Sequence, residues 1–526
     1  MRPSPITRRD LLARIGRSAG AGAMLQAMTA LGFAAESPYA GRLDLQGAPP
    51  GTTVLVLGAG MAGLVAAYEL RKAGYRVRVL EYNQRAGGRA WTLRGGDEYT
   101  ELGGATQRCE FDTGHYLNPG PWRIPYHHHA VLDYAQRLGV ALEPFVQVNH
   151  NAWLHSKNAY GGKPQRFRHV QADFNGHVAE LLAKALRQDQ LAASVTREDQ
   201  ERLLEAMRRW GALDSNYRYQ EGDASSLRRG HEVEAGGGLM PAPKPSKPLD
   251  PAELLKSGLW QRLVQGQEHE FQTTLFQPVG GMDRIAMALF EQVKDLVQFG
   301  ARVTAIAQDG RGVSVRYSEG GSERQARADW CLCTIPLSIL SQIDIQVGPA
   351  MHEAIEAVPY EASVKVGLQF RRRFWEQDEQ IYGGISFTDL PIGLIGYPNT
   401  GYGQPGKGVL LGAYVWGPNA YEFTARPPAE RVQLALQYGR QIHAQYPREF
   451  DTGVAVGWHR VPWAHGCFGQ WSDEARTQHY RNLCQIDGRI ALAGEHASLI
   501  PAWQEGAVLS SLDAITRLHA RIKAGA

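Results

Sequence analysis

The sequence predicts an α/β fold built on a parallel sheet, and three observations carry that expectation. "TVLVLG" is a short, almost wholly apolar run ending in glycine, as a strand covered on both faces requires. "MAGLVAAYELRKAG" follows at once with its apolar residues at helical spacing, and "YRVRVLE" returns to a strand that ends on an acid. Strand, glycine turn, helix and strand in that order form the first unit of a doubly wound sheet.

The glycine turn says what such a unit holds. Gly58, Gly60 and Gly63 stand as G-x-G-x-x-G, with Ala59, Met61 and Ala62 between them. The first glycine permits a tight turn, the second lets a pyrophosphate approach the backbone, and the third lets the helix pack on the strand. The helix N-terminus then offers its free amides to the phosphates. Glu81 follows Gly63 by 18 residues, where a carboxylate accepts hydrogen bonds from ribose hydroxyls and disfavours a 2′-phosphate. The unit therefore binds a dinucleotide, with FAD and NAD both open at this point.

Bulk properties narrow the class. A chain of 526 residues exceeds one simple core and divides into two or three domains. Its formal net charge of +3 gives no case for nucleic-acid binding, which calls for a concentrated basic face. Five scattered cysteines suggest neither a disulfide framework nor a metal set. Cys331 and Cys333, one residue apart in a strand, are expected to face opposite ways. At the N-terminus, Arg8 and Arg9 precede a modest Ala/Gly/Leu run that reaches Ala34 and Ala35. Residues 1–36 thus resemble a twin-arginine export signal, which delivers an already folded, cofactor-loaded protein to the periplasm or beyond. No other run approaches the roughly 18 apolar residues of a membrane span.

Two further segments choose the dinucleotide. "NQRAGGRAWT" places Arg85, Gly87, Gly88 and Arg89 just after the Glu81 strand, and R-x-G-G-R resembles the second fingerprint of FAD-dependent amine oxidases. Paired glycines let the backbone approach the cofactor while arginine meets phosphate charge. "LAGEHASLIPAWQEGAVLSSLDA" resembles the closing FAD motif of the same family. That likeness implies Glu495 at the ribityl or pyrophosphate region and a helix from Gln504 aimed at the isoalloxazine, where its N-terminus favours negative charge. "ARVTAIAQDGRGVSVRYSE" reads as two strands joined by a "DGRG" turn, with "EGGS" turning next, and completes the pattern with Val303 against the cofactor.

From about Val54 to the C-terminus the chain resembles the flavin monoamine oxidase superfamily, most closely its bacterial L-amino-acid oxidases. The resemblance implies a Rossmann-like FAD-binding domain of the amine oxidase type in three pieces, 53–100, 275–357 and 455–526. A mixed-sheet substrate domain would come from 101–165 and 358–454, with a helical insertion at 166–274. "GPWRIP" is similar to the family turn whose arginine pairs with the substrate carboxylate, which assigns that role to Arg123. A rigid guanidinium fork suits a planar carboxylate. By the same likeness Tyr414 donates its hydroxyl to that carboxylate, Trp503 flanks the flavin, and the carbonyl of Ala502, a position often glycine in relatives, receives the substrate amine. Lys365 matches the lysine that relatives bridge by water to flavin N5. In "SVKVGLQF", Val364, Val366, Leu368 and Phe370 share one strand face and leave Lys365 on the other, which is either solvated or functional.

The implied reaction takes hydride from Cα of an L-amino acid to flavin N5, giving a 2-oxo acid, ammonia and, with molecular oxygen, hydrogen peroxide. A flavin monooxygenase releasing an amide would share the carboxylate contacts. An amine or polyamine oxidase, or a flavoprotein without turnover, fits Arg123, Tyr414 and Lys365 less well. A quinone acceptor and a homo-oligomer are both compatible with the sequence.

Three other features take ordinary readings. His127, His128 and His129 cannot all ligate one ion from a regular helix opened by Pro125, so they read as solvated or pocket-edge histidines and no metal is assigned. "FNGHVAELLAKAL" and "REDQERLLEAMRRWGAL" are helical in period, and the glycine- and proline-rich stretch after them connects helices. Trp122, Trp153 and Trp416 are candidate pocket walls.

Overall fold

The computed structural model describes residues 38–188, 190 and 195–525; the expected export segment lies outside the described residues. The first sheet has six strands in the order Val297–Gln298, Arg76–Leu80, Thr53–Leu57, Trp330–Cys333, Ile490–Leu492 and Ile486–Asp487. All neighbours run parallel except the last pair. Thr53–Leu57 is central because both of its faces are covered. Val54 and Val56 pack towards the helices Met61–Lys72 and Gln504–Ala524, and Leu55 and Leu57 towards the opposite layer. Cys331 and Cys333 share that second face and Leu332 takes the other. Residues two apart in a strand point the same way, so the opposite-facing reading of the cysteines does not hold.

The two helices cross closely, and Ser511 Oγ donates to the Ala62 carbonyl at 2.7 Å. The C-terminal helix is thereby fixed against the glycine turn although 449 residues separate the two contacts. The hairpins expected at "DGRG" and "EGGS" join Arg302–Asp309, Gly312–Glu319 and Ser322–Ala328 in a four-stranded sheet.

The second large sheet has seven strands and is mixed. Its order is Gln165–Arg166, Trp153–His155, Ile385–Thr388, Leu394–Gly396, Gly408–Trp416, Ser363–Phe370 and Phe450–Gly457; only the Trp153–His155 and Ile385–Thr388 pair is parallel. The last strand continues this sheet past position 455, where the sequence reading returns to the FAD-binding domain. The helical region holds Phe167–Arg187 and Arg197–Trp210, the latter capped by Thr196 accepting from Asp199 N. None of the described helices is long and apolar enough to cross a membrane.

Candidate active site

The glycine turn is built by exclusion. Gly58 has φ of 101°, a left-handed conformation suited to glycine. A Cβ on Gly63 would stand 1.9 Å from the Gly58 carbonyl oxygen, so only hydrogen lets the helix start against the strand. Gly63→Ala must open that turn. We expect it to destabilise the protein by about 1–3 kcal/mol and to lower the flavin-to-protein absorbance ratio after purification. Full flavin content at an unchanged melting temperature would contradict the steric argument.

The second glycine segment docks on the first. Gly87 N donates to the Ala59 carbonyl at 2.8 Å, and Gly60 and Gly87 form a parallel bridge. Glu81 is held beside them, accepting from Ala59 N at 2.7 Å through one oxygen, and from Asn83 N and Nδ2 at 2.8 and 2.7 Å through the other. A carboxylate has about four acceptor positions, which leaves room for one ribose hydroxyl. Gly58, Gly60, Met61, Ala62, Glu81, Gly87, Gly88 and Arg89 all line one cavity of about 1910 Å³. Ala59 and Gly63 lie behind its wall and shape the turn.

Arg85 is a correction. Expected at a phosphate, its guanidinium donates to the carbonyls of Ala86 and Gly88 at 3.2 and 3.0 Å. It lies over the rings of Trp91 and Trp463, 4.6 and 5.0 Å from their centroids, and borders a separate, smaller cavity. Burial lowers its pKa to about 10. Arg85 therefore props the Gly87–Gly88 turn from behind, and Arg89 is the arginine on the cavity. Arg89 Nη1 meets Glu495 Oε1 at 2.7 Å and the Cys467 carbonyl at 3.0 Å. Burial works against the Arg89 charge, and Glu495 more than offsets it.

The C-terminal segment closes the same cavity. Glu495 also accepts from Gly469 N and Ala502 N, each at 3.2 Å, so one carboxylate ties three segments together. Ala502, Trp503 and Gln504 line the cavity, as does Val303 from the four-stranded sheet. Gln504 sits in the first turn of the C-terminal helix, and neither its Oε1 nor its Nε2 has a hydrogen-bond partner although both are buried. A buried amide with both ends unsatisfied is costly. A polar ring system with carbonyl and imide groups at this helix N-terminus would satisfy it, as an isoalloxazine does.

Ala502 has φ of 70°, a conformation that costs a residue with Cβ roughly 1–2 kcal/mol. Ala502→Gly should raise unfolding free energy by about 1 kcal/mol, read from denaturant midpoints of the flavin-loaded protein. A lower midpoint would show that the Ala502 methyl contributes packing worth more than the strain.

On the other side of the cavity stands Arg123. Its guanidinium carbon lies 4.4 Å from the Phe271 ring centroid, 5.3 Å from Trp122 and 5.8 Å from Phe145. Its Nε is buried without a hydrogen-bond partner, and among the described residues it has no ion-pair partner. Burial lowers its pKa to about 10, so it remains a cation at neutral pH. Tyr414 lines the cavity beside it, with burial raising its phenol pKa.

Lys365 pairs in register with Tyr414 on the neighbouring strand. It is 1% exposed, so the face opposite Val364 and Val366 is not solvated. Nζ donates to the Asn118 and Gly120 carbonyls at 3.1 and 2.5 Å and lies 4.4 Å from the Tyr414 ring centroid. Burial, and then the Arg123 charge, push its pKa well below the ordinary lysine value. Lys365 does not itself line the cavity; it sits behind Gly120 and Tyr414, which do.

Other residues appear that sequence reasoning did not anticipate. The segment after the short helix Leu259–Gly266 brings Glu268, Glu270 and Phe271 to the cavity wall. Glu268 Oε1 is buried without a partner, and burial raises its pKa. Trp122 and Trp416 line the cavity as expected. Trp153 does not; it packs under Arg166, 3.5 Å from ring centroid to guanidinium, and donates to Glu379 at 2.6 Å.

The histidine run is also corrected. Pro125 belongs to the strand Ile124–Pro125, which pairs with Leu275–Pro278, and the helix begins only at His129. That helix lacks a cap from its own sequence; Glu505 supplies one, accepting from Ala130 N and Val131 N at 2.9 and 2.8 Å. His127 and His128 are therefore in irregular backbone, each 2% exposed, and only His129 is exposed.

Known proteins resemble this chain in sequence and fold. An L-amino-acid oxidase of Siganus canaliculatus is 28% identical over 472 residues, covering 89% of this chain and 85% of that protein. An L-amino-acid oxidase of Vipera ammodytes ammodytes is 29% identical over 474 residues, covering 88% and 91%. The solved structure of cyclohexylamine oxidase from Brevibacterium oxydans IH-35A has the same fold, with a TM-score of 0.58 at 16% identity across 90% of this chain and 99% of that one. A family model described as flavin containing amine oxidoreductase matches residues 61–518. The cavity bordered by the glycine crossing, the Arg89–Glu495 pair and the unsatisfied Gln504 amide offers donors suited to FAD, FAD is the cofactor of flavin-dependent oxidoreductases of this type, and the chain belongs to the flavin containing amine oxidoreductase family.

Proposed function

We propose that the protein oxidises L-amino acids, converting substrate, oxygen and water to a 2-oxo acid, ammonium and hydrogen peroxide. The observation that carries this reading is Arg123, a half-buried cation among aromatic faces whose Nε is shut off from solvent and which has no acid within ion-pair distance among the described residues, opening on the FAD cavity. A guanidinium Nε held from water without a partner is costly, and a substrate carboxylate is the partner that offsets the cost. Amine substrates lack one.

When bound, FAD would supply the hydride acceptor and the route of the electrons to oxygen. The chain's own residues bind and orient. Arg123 takes the carboxylate, Tyr414 adds a hydroxyl donor, and the Ala502 carbonyl receives the substrate amine. With both ends of the amino acid held, Cα is fixed at a set depth in the cavity, and positioning of this kind accounts for much of enzymatic rate. Trp503, Phe271 and Trp122 exclude water around the reacting carbon, which strengthens the Arg123 contact. Lys365 donates to two backbone carbonyls. As a neutral amine it keeps a lone pair for a water molecule, which it can hold and activate. The same proposal takes residues 1–36 as the signal that exports the folded, FAD-loaded protein.

The deciding experiment is anaerobic flavin bleaching by L-amino acids, each compared with its D-enantiomer and its decarboxylated amine. Bleaching by L-amino acids alone supports the reading. Equal bleaching by the amines would make this an amine oxidase and Arg123 a structural residue. Product analysis then separates 2-oxo acid from the amide of a monooxygenase.

A further inference from the structure

We propose that His127, His128 and Glu270 form a binding site for a divalent transition ion of the zinc class, with a remaining coordination position open to the FAD cavity. The geometry of these three side chains is independent of which substrate the flavin oxidises. Glu270 Oε2 lies 3.3 Å from His127 Nε2 and 3.2 Å from His128 Nε2, and one ligand atom from each residue falls within 4.8 Å of the others. A tetrahedral ion with bonds of about 2.0–2.1 Å separates its ligand atoms by about 3.3 Å. The two histidine-to-carboxylate separations match an ion at the centre.

Hydrogen bonding alone leaves the cluster incomplete. His128 Nε2 makes a hydrogen bond to Glu270, yet both ring nitrogens of His127 are buried without a hydrogen-bond partner. A 2% exposed imidazole in that state loses its hydration, and what faces its Nε2 is the Glu270 carboxylate at 3.3 Å. Its Nε2 stands beside the acid in a geometry that does not serve as a donor, as a lone pair directed at an intervening ion would. Two imidazoles and one carboxylate are ligands that borderline divalent ions accept.

The cluster is also held in place and reachable. His127 stacks on His269, ring centroids 4.0 Å apart at 20°, and the His128 ring meets Trp503 edge-on at 4.9 Å. Glu505 fixes the backbone that follows both histidines by capping the helix from His129. His128 and Glu270 border the cavity, so an ion enters from there and its open position takes a water or another donor from that side.

The test uses tag-free holoenzyme, stripped with chelator, desalted and titrated with Co2+, with absorption read on the long-wavelength side of the flavin bands. Wild type should develop tetrahedral Co2+ bands to one equivalent per flavin and retain one equivalent of zinc by elemental analysis after gel filtration. His127→Ala and Glu270→Gln should each weaken Co2+ binding by roughly 100-fold or more. His129→Ala, altering the exposed neighbour, should bind as wild type. Flavin content and melting temperature report whether each variant is folded, and the wild-type titration decides alone if one is not. Absence of bands and of retained zinc in wild type overturns the proposal, as does unchanged binding in both ligand variants.

Discussion

Arg123→Ala should lower kcat/KM for L-amino acids by roughly 10²–10³-fold, about 3–4 kcal/mol of lost transition-state binding, while FAD stays bound. The size follows from where the guanidinium stands. It packs against Phe271, Trp122 and Phe145 with its Nε buried and unsatisfied, so a carboxylate meets it where these rings shield the contact from water and charged hydrogen bonds are strong. FAD retention is expected because the glycine crossing and the Arg89–Glu495 pair lie on other segments. Decarboxylated amines should lose little in the variant, so the ratio of amino-acid to amine kcat/KM collapses. Arg123→Lys should recover only part of it, since an ammonium keeps the charge and loses the planar fork. Steady-state kinetics on both substrate series check this, and an unchanged ratio in Arg123→Ala would return the residue to a role within its own loop.

What could be read from the sequence was what local sterics dictate. Gly63 is fixed by the Gly58 carbonyl five residues away and Gly58 by its own φ of 101°, so the strand, turn and helix at 53–72 were legible without the rest of the chain. What could not be read depended on distant partners. Pro125 looks like a helix opener, but Leu275 pairs with it in a strand, and the helix start at His129 is set by Glu505, 375 residues beyond Ala130. That shift takes His127 and His128 off the helix and lets both face Glu270.

The misplacement of Arg85 has the same origin. An arginine beside paired glycines is right for phosphate, but the folded chain brings Trp463 to it, and the aromatic faces of Trp91 and Trp463 hold it away from the cavity. Glu268, Glu270 and Phe271 left no signal, because the single 3-10 turn His269–Phe271 is too short for a periodicity that reports which side chain points inward. Alternation did place Lys365 opposite Val364 and Val366. It could not say that the far face is covered by the 118–120 turn, whose carbonyls lie some 245 residues earlier in the chain.

That covering makes Lys365→Met the sharpest test of the chemistry. The oxidative half-reaction should slow by roughly 10²-fold or more, the range for loss of a positioned proton-transfer group. The reductive half-reaction should change far less, because Arg123 and Tyr414 still hold the substrate. Methionine is close in length and suits the apolar surroundings, so folding and flavin content should survive even though the Asn118 and Gly120 carbonyls lose their donor. The pH dependence carries the sign of the argument. Burial and Arg123 lower the folded-state pKa of Lys365, so the amine is neutral above that depressed value and charged below it. If the neutral form holds the working water, wild-type turnover falls as pH drops through that value, and Lys365→Met loses this limb of the profile. Stopped-flow measurement of the two half-reactions across pH reads both effects. An unaffected oxidative half-reaction with the limb still present would leave Lys365 as a strut between the 118–120 turn and the sheet, and would move the search for the oxygen-side proton donor to the residues that line the cavity.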